Sequence, residues 1–256
     1  MLRSFEQKPR PLLIRTHNLE KRYGTFQALH PLNLHVADGE VFGFLGPNGA
    51  GKTTTIRILT GILPPTEGQV LIDGIDLMEE PVEARRRMGY IPDRPYLYEK
   101  LTGWEFLEFL AGIYQLDPAV IREQGKALLK MHDLLEVADH LIEGYSHGMK
   151  QRLILASTLL HRPKLLVVDE PMVGLDPRGA RQIKSVFRSL ADEGRTVFLS
   201  THSLDVAEEV CDRIAILNRG RIVAMGTLAE LREAAQAGDV DLEAVFLKIT
   251  REEAME

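Results

Sequence analysis

The residues with the clearest chemical potential form one run, Gly46-Pro47-Asn48-Gly49-Ala50-Gly51-Lys52-Thr53. A glycine, four residues and then Gly-Lys-Thr is the pattern of a phosphate-binding loop. Its glycines let the backbone curl so that several N–H groups point inward at phosphate oxygens. The Lys52 ammonium can reach the outer phosphates and the Thr53 hydroxyl can ligate magnesium, while a helix opening at this point adds the positive end of its dipole. A second constellation lies at Leu165–Glu170, an apolar run that ends in Asp169 and Glu170. A carboxylate at a strand's carboxyl end suits magnesium held near a phosphate, and a second one beside it suits polarising a water for attack on the γ-phosphate. Alone, an Asp-Glu pair reads equally well as an N-cap or a solvated turn; the phosphate loop upstream favours the chemical reading.

The elements that must position these groups follow from periodicity and punctuation. Strands are expected at Leu12–Thr16, Leu32–Val36, Val41–Leu45, Gln69–Ile72 and Met88–Ile91, and helices over Thr53–Ile62 and from about Val82. From Asp93 to Arg162 the pattern turns helical. Thr102 with Glu105 forms a capping-box signature ahead of Trp104–Tyr114, Asp117-Pro118 opens another helix, and Ser146 caps one that runs to Leu160. Strand signals resume at Leu165–Val168 and Thr196–Ser200, with a helix between them from Asp176-Pro177 to Gly194. A hairpin turns at Asn218-Arg219-Gly220, and Leu242, Val245, Phe246 and Ile249 mark a short amphipathic helix at the end. Within the helical stretch, Phe106 and Phe109 are expected to fill its core, while Tyr96, Tyr98 and Trp104 suit either core or interface.

The bulk properties narrow the function classes. The chain has 256 residues, net charge −6 and one cysteine, Cys211, so it forms no intrachain disulfide. An acidic balance argues against a nucleic-acid partner. No apolar run is long enough to span a bilayer, and Met1–Pro11 is polar where a signal peptide needs an apolar stretch. The expectation is a cytoplasmic protein that reaches a membrane, if at all, through a partner.

Two further segments complete an order of motifs. Tyr145-Ser146-His147-Gly148-Met149-Lys150-Gln151-Arg152 precedes the Asp169 strand, and Thr201-His202 follows the next strand. Phosphate loop, glutamine loop, signature, Asp-Glu strand, D-loop and switch histidine in this sequence resemble the ATP-binding-cassette (ABC) ATPases over nearly the whole chain. The resemblance implies an α/β fold: a P-loop NTPase core, RecA-like with an antiparallel β part, with an inserted helical subdomain. It places the ATP-binding core at 12–92 and 163–236, the helical subdomain with the signature at 93–162, and a helical tail at 237–256. It also implies site roles. Tyr23 would stack on adenine. Gly46, Pro47, Asn48, Gly49, Ala50, Gly51, Lys52, Thr53 and Thr54 would contact ATP. Thr53 and Asp169 would hold Mg2+, Glu170 would be the catalytic base and His202 the switch histidine. Val173-Gly174-Leu175-Asp176 would be the D-loop. Two cassettes, identical or different, would sandwich two ATP molecules, with Ser146 and Gly148 of one closing the site of the other, and Asp176 would be a further nucleotide contact.

Two departures stand out. The common Leu-Ser-Gly-Gly-Gln signature reads Tyr145-Ser146-His147-Gly148-Met149 here, and the glutamine-loop position holds Asp93. Aspartate can approach magnesium but, ionised, cannot donate a hydrogen bond. Together they resemble bacterial cassettes that pair with ABC-2-type membrane permeases, mostly exporters, which would place the chain on the inner face of the membrane. The alternatives are a soluble ABC ATPase acting on nucleic acid or ribosomes, a P-loop GTPase or small-molecule kinase, and a degenerate cassette that binds ATP without turnover. A GTPase lacks support because the guanine-reading Asn-Lys-x-Asp motif is absent. A kinase leaves Ser146–Gly148 and His202 unexplained.

Overall fold

The computed structural model describes residues 11–94, 96–236 and 240–252. Apart from Pro11, the polar leader lies outside the described residues, as do Pro95 and parts of the tail. In chain order the strands are β1 (Leu12–Tyr23), β2 (Phe26–Leu32), β3 (His35–Ala37), β4 (Val41–Leu45), β5 (Glu67–Ile72), β6 (Ile75–Asp76), β7 (Met88–Ile91), β8 (Leu165–Asp169), β9 (Thr196–Thr201), β10 (Arg213–Asn218) and β11 (Arg221–Gly226). The helices are α1 (Lys52–Leu59), α2 (Pro81–Arg86), α3 (Gly103–Ile113), α4 (Pro118–Val120), α5 (Lys126–Met131), α6 (His147–Leu159), α7 (Pro177–Asp192), α8 (Leu204–Val210), α9 (Leu228–Ala234) and α10 (Leu242–Glu252).

The central sheet runs β11-β10-β4-β9-β8-β7. Strands β10, β4, β9, β8 and β7 are parallel, and β11 closes one edge antiparallel to β10. Every residue of β4, β8 and β9 is buried, as a parallel sheet covered on both faces requires. Successive side chains point to opposite faces. Leu165 and Val167 therefore join Phe42, Phe44, Phe198 and the α1 residues Ile56 and Leu59 on one side. Leu166 and Val168 join Val41, Val197, Leu199 and the α7 residues Ile183 and Phe187 on the other. The Phe198 ring lies 5.8 Å from Phe42 and 5.3 Å from Phe44, contacts worth about 0.5–1.5 kcal/mol each beyond their buried area. An antiparallel sheet, β2-β1-β5-β6 with β3 also on β1, adds Leu13, Ile14, Leu19 and Val70 to the first core.

Phe106, Leu107, Leu129, Ile142, Tyr145 and Leu153 continue the second core into the helical stretch between β7 and β8. The capping box at α3 is formed, with Thr102 accepting from the Glu105 N–H and Glu105 accepting from the Thr102 N–H. Asp117 and Ser146 cap their helices as the sequence indicates. Phe109 departs from its expected place in the core, being 42% exposed and packed edge-on against Tyr98, which meets Tyr96 in the same way. Trp104 packs against the core.

Other differences have local causes. Helix α1 ends at Leu59 and not Ile62, because Gly61 takes a left-handed conformation (φ 70°) and turns the chain before Pro64. The expected strand Leu32–Val36 is split, since Leu32 ends β2 and β3 begins at His35. Its alternation still reports burial correctly, with Leu32, Leu34 and Val36 all inside. Strand β1 runs on to Tyr23 and turns through Gly24-Thr25 to pair Tyr23 with Phe26. Its exposed Arg15, His17 and Arg22 mask it from an apolar-pattern reading. The α10 helix forms as expected, burying Leu242 and Val245 against Ile214 and Ile216.

Candidate active site

The site is assembled at the carboxyl edge of the parallel sheet, where open α/β sheets bind ligands. Neighbouring strands β4, β9, β8 and β7 deliver, in that spatial order, the phosphate loop, Thr201-His202, Asp169-Glu170 and the Asp93 segment. Consecutive parallel strands sit ~4.8 Å apart, so four chain segments remote in sequence become neighbours.

The loop between β4 and α1 has the shape its glycines allow. A side chain at Gly46 would meet the Leu217 carbonyl at 2.4 Å, and Gly51 has φ 109°, open to glycine alone. No side chain caps α1, so its amino-terminal N–H groups face the cleft without a protein side chain of their own. Lys52 is buried and bends back over the loop, donating to the carbonyls of Gly46 and Pro47. Burial lowers its ammonium pKa, and the charges of Glu170 and Asp169 oppose that shift. Burial raises the Asp169 carboxyl above its usual range, helped by Glu170 and Asp93 and opposed by Lys52. These mutual effects place Lys52, Asp169, Glu170 and Asp93 in one electrostatic neighbourhood.

Glu170 is held tightly. Its backbone takes φ 50°, an uncommon conformation for a side-chain-bearing residue that costs on the order of 1–3 kcal/mol. The Glu170 N–H donates to the Ser200 carbonyl at 2.9 Å. Its carboxylate lies 2.9 Å from His202 Nδ1 through Oε1 and accepts from the Thr201 hydroxyl through Oε2 at 3.3 Å. The cleft around these groups holds about 450 Å³ and is lined also by Tyr23, Asn48, Gly49, Thr53 and Thr54. Tyr23 is 47% exposed, with the Lys21 ammonium 5.3 Å from its ring. The structure adds two cleft-lining residues the sequence does not mark, and a third, Tyr90, that senses the site only through charge, chiefly that of Asp169. Phe26 and Ala28 line the same cleft, brought there by the Tyr23–Phe26 hairpin pair. Tyr90 on β7 has its phenol pushed up to about 12 by burial and by Asp169. A Tyr-Gly-x-Phe turn signal could have found Phe26; nothing local marks Tyr90.

Ser146, Gly148 and Asp176 lie elsewhere. They border a separate cleft of about 560 Å³ between the amino ends of α6 and α7, with His147, Arg152, Gly174 and Arg178. Ser146 accepts from the Met149 N–H at 3.3 Å and Asp176 from the Gly179 N–H at 2.8 Å, each capping its own helix. A side chain at Gly148 would meet only Leu175, at 3.9 Å, so packing within the chain does not call for glycine there. A third opening, about 540 Å³, runs from Asp93 past Tyr96, Leu97 and Glu99 to His147 and Lys150.

The sequence profile of the ABC transporter family matches residues 29–173. The chain belongs to the ABC transporter family. It is 40% identical over 223 residues to the daunorubicin resistance ATP-binding protein DrrA3 of Streptomyces coeruleorubidus, covering 87% of this chain and 71% of that protein. It is 35% identical over 219 residues to the linearmycin resistance ATP-binding protein LnrL of Bacillus subtilis, covering 86% and 70%. Some relatives are longer: a match to an Escherichia coli protein at 37% identity takes in 97% of this chain and 43% of that one. A solved ATP-binding subunit of an ABC transporter superposes with TM-score 0.88 at 33% identity, covering 93% of this cassette and 99% of that chain. A dimeric ATP-binding cassette in a post-hydrolysis state with ADP and phosphate superposes with TM-score 0.76 at 29% identity, covering 84% and 98%. The cassette is thus an ATP-binding, ATP-hydrolysing transporter subunit, and these relatives favour that reading over an ATPase acting on nucleic acid or ribosomes. Cassettes of this family dimerise and work with membrane permease subunits. Among the described residues, no helix is long and apolar enough to cross a membrane.

Proposed function

We propose that this cassette drives export through separate ABC-2-type permease subunits at the inner face of the cell membrane, powered by two composite ATP sites in a cassette dimer. The carrying observation is the division of the signature residues and the phosphate loop between two clefts of one chain. Ser146, whose hydroxyl keeps its proton free to donate, and Gly148, which its own chain does not require to be glycine, suit close approach to the γ-phosphate bound by a second cassette. Asp176 borders the same face.

Within the phosphate cleft, Tyr23 stacks on the adenine, and the loop from Gly46 to Thr54 cradles the phosphates with Lys52 turning from its carbonyl partners to the outer ones. The oxygen donors of Thr53, Asp169 and Asp93 fit Mg2+, which prefers hard oxygen ligands and takes others from phosphate and water. When bound, that ion neutralises charge on the phosphates. Glu170 orients the attacking water and takes its proton, and His202 holds the Glu170 carboxylate and reaches the γ-phosphate. The exporter direction and the ABC-2 permease class rest on the resistance functions named for DrrA3 and LnrL and on the Tyr145–Met149 signature. The groove from Asp93 to Lys150, with the exposed Tyr96–Tyr98–Phe109 row beside it, suits docking of the permease.

The test is affinity purification of the tagged chain from detergent-solubilised native membranes, with mass spectrometry of the co-purifying proteins. A stoichiometric polytopic permease is the expected result. Recovery only from the soluble fraction would overturn the assignment.

A further inference from the structure

His147 replaces the first glycine of the common signature, and the proposed function gives it no task. Its ring stands at the boundary of two openings, lining both the Asp93–Lys150 groove and the Ser146 cleft. It also touches the loop that follows Glu170. Nε2 lies 3.4 Å from the Val173 carbonyl. A carbonyl only accepts, so the neutral ring makes this contact with its proton on Nε2. The ring covers Gly174 so closely that a side chain there would sit 2.9 Å from Nε2 and 3.2 Å from Cδ2. Gly174 has φ 77°, so the loop bends toward the ring at the one residue type that permits both the bend and the contact. A glycine at 147, as in the common signature, would make neither contact.

We propose that His147 is a positioning residue that ties the Val173–Asp176 loop to the amino end of α6, so that the docking groove, the signature and this loop move as one unit. Contact at the groove then reaches the loop through one side chain. The tie itself is a property of the single chain. Its effect on turnover rests on the dimeric site proposed above, in which Ser146 and this loop face the second nucleotide together.

Two variants separate the hydrogen bond from bulk. His147→Leu keeps a side chain of similar size without a donor, and His147→Gln places an amide N–H where Nε2 stands. In the nucleotide-free full chain, amide exchange over Val173–Asp176 should quicken about fivefold in His147→Leu and stay near wild type in His147→Gln. In ATPase assays, His147→Leu should lower kcat about fivefold with KM for ATP unchanged, and His147→Gln should restore it. Wild-type exchange in His147→Leu, or exchange in His147→Gln as fast as in His147→Leu, would overturn the tie. Altered exchange with unchanged kcat would keep the tie and remove its role in turnover. Absence of turnover in the wild-type chain together with absence of a permease partner would count against the proposed function instead, with the exchange result still deciding the tie.

Discussion

The phosphate cleft and the Ser146 cleft both place a helix amino terminus beside a tight turn, yet they treat its N–H groups oppositely. At α1 no side chain caps the helix, and the groups are left for an anion. At α6 and α7, Ser146 and Asp176 cap their own helices. The first cleft concentrates costs that its own contacts offset only in part: a buried Lys52, a raised Asp169 and a left-handed Glu170. In the second, no buried lysine or raised carboxyl lines the cleft among the described residues, and a side chain at Gly148 would meet little within the chain. On the proposed function, one cleft is preorganised for chemistry and the other is completed by a second cassette.

The largest effect is expected at Glu170. Glu170→Gln keeps the shape but cannot take a proton, so ATP turnover should fall on the order of 10²–10⁴-fold while ATP binding persists. Phosphate release and nucleotide binding measured on the same preparation check this, and turnover near wild type would remove Glu170 as the base.

Next in size is an acid sensitivity on the signature side. His132 is fully buried near Arg152 of α6, and neither ring nitrogen has a hydrogen-bond partner in the described structure. Burial, aided by Arg152, lowers its pKa to about 4. The folded state thus holds the ring neutral while the unfolded chain takes up a proton below its ordinary value of 6.5. Stability is therefore full above pH 6.5 and is lost progressively as pH falls toward 4, by about 3 kcal/mol from this group. His132→Leu should flatten that slope in urea titrations; an unchanged slope would assign the acid sensitivity elsewhere.

Gly51→Ala sharpens the contrast from the phosphate side. The left-handed backbone and the Leu29 methyl at 2.7 Å from the added carbon should cost about 2 kcal/mol, seen as a lower melting temperature of the nucleotide-free chain. Gly148→Ala is the complement. It should leave that melting temperature unchanged or slightly raised and weaken ATP-driven dimerisation of the Glu170→Gln chain about tenfold in sedimentation, a loss of contact between cassettes and not of fold.

Much of the site was legible because it is made of short motifs. The phosphate loop needs glycines at fixed offsets, and Asp169 follows an unbroken apolar strand, so residue type and spacing were enough. Caps at Thr102, Asp117, Ser146 and Asp176 were equally local, since each is a side chain reaching an N–H two or three residues on. Long-range packing was not legible. Helices α8 and α9 are only about two turns long, too short for their apolar spacing to stand out, and Phe109 sits on a face whose exposure depends on how α3 lies against its neighbours. Phe26 reached the nucleotide cleft only through the hairpin register that pairs it with Tyr23.

The sequence by itself marked the loop after β4 and Asp169-Glu170 after β8 as candidate chemistry, and its family resemblance added Asp93 after β7 and His202 after β9. Their order in space belongs to the tertiary structure. Strand β9 inserts between β4 and β8, so His202, late in the chain, comes within 2.9 Å of Glu170. The separation of Ser146, Gly148 and Asp176 into another cleft was likewise fixed by packing, through the docking of α6 and α7 on the same core. Local spacing encodes a group's chemistry because turns and caps act over a few residues. Which groups meet depends on burying both faces of one sheet, a constraint that every strand and helix satisfies together.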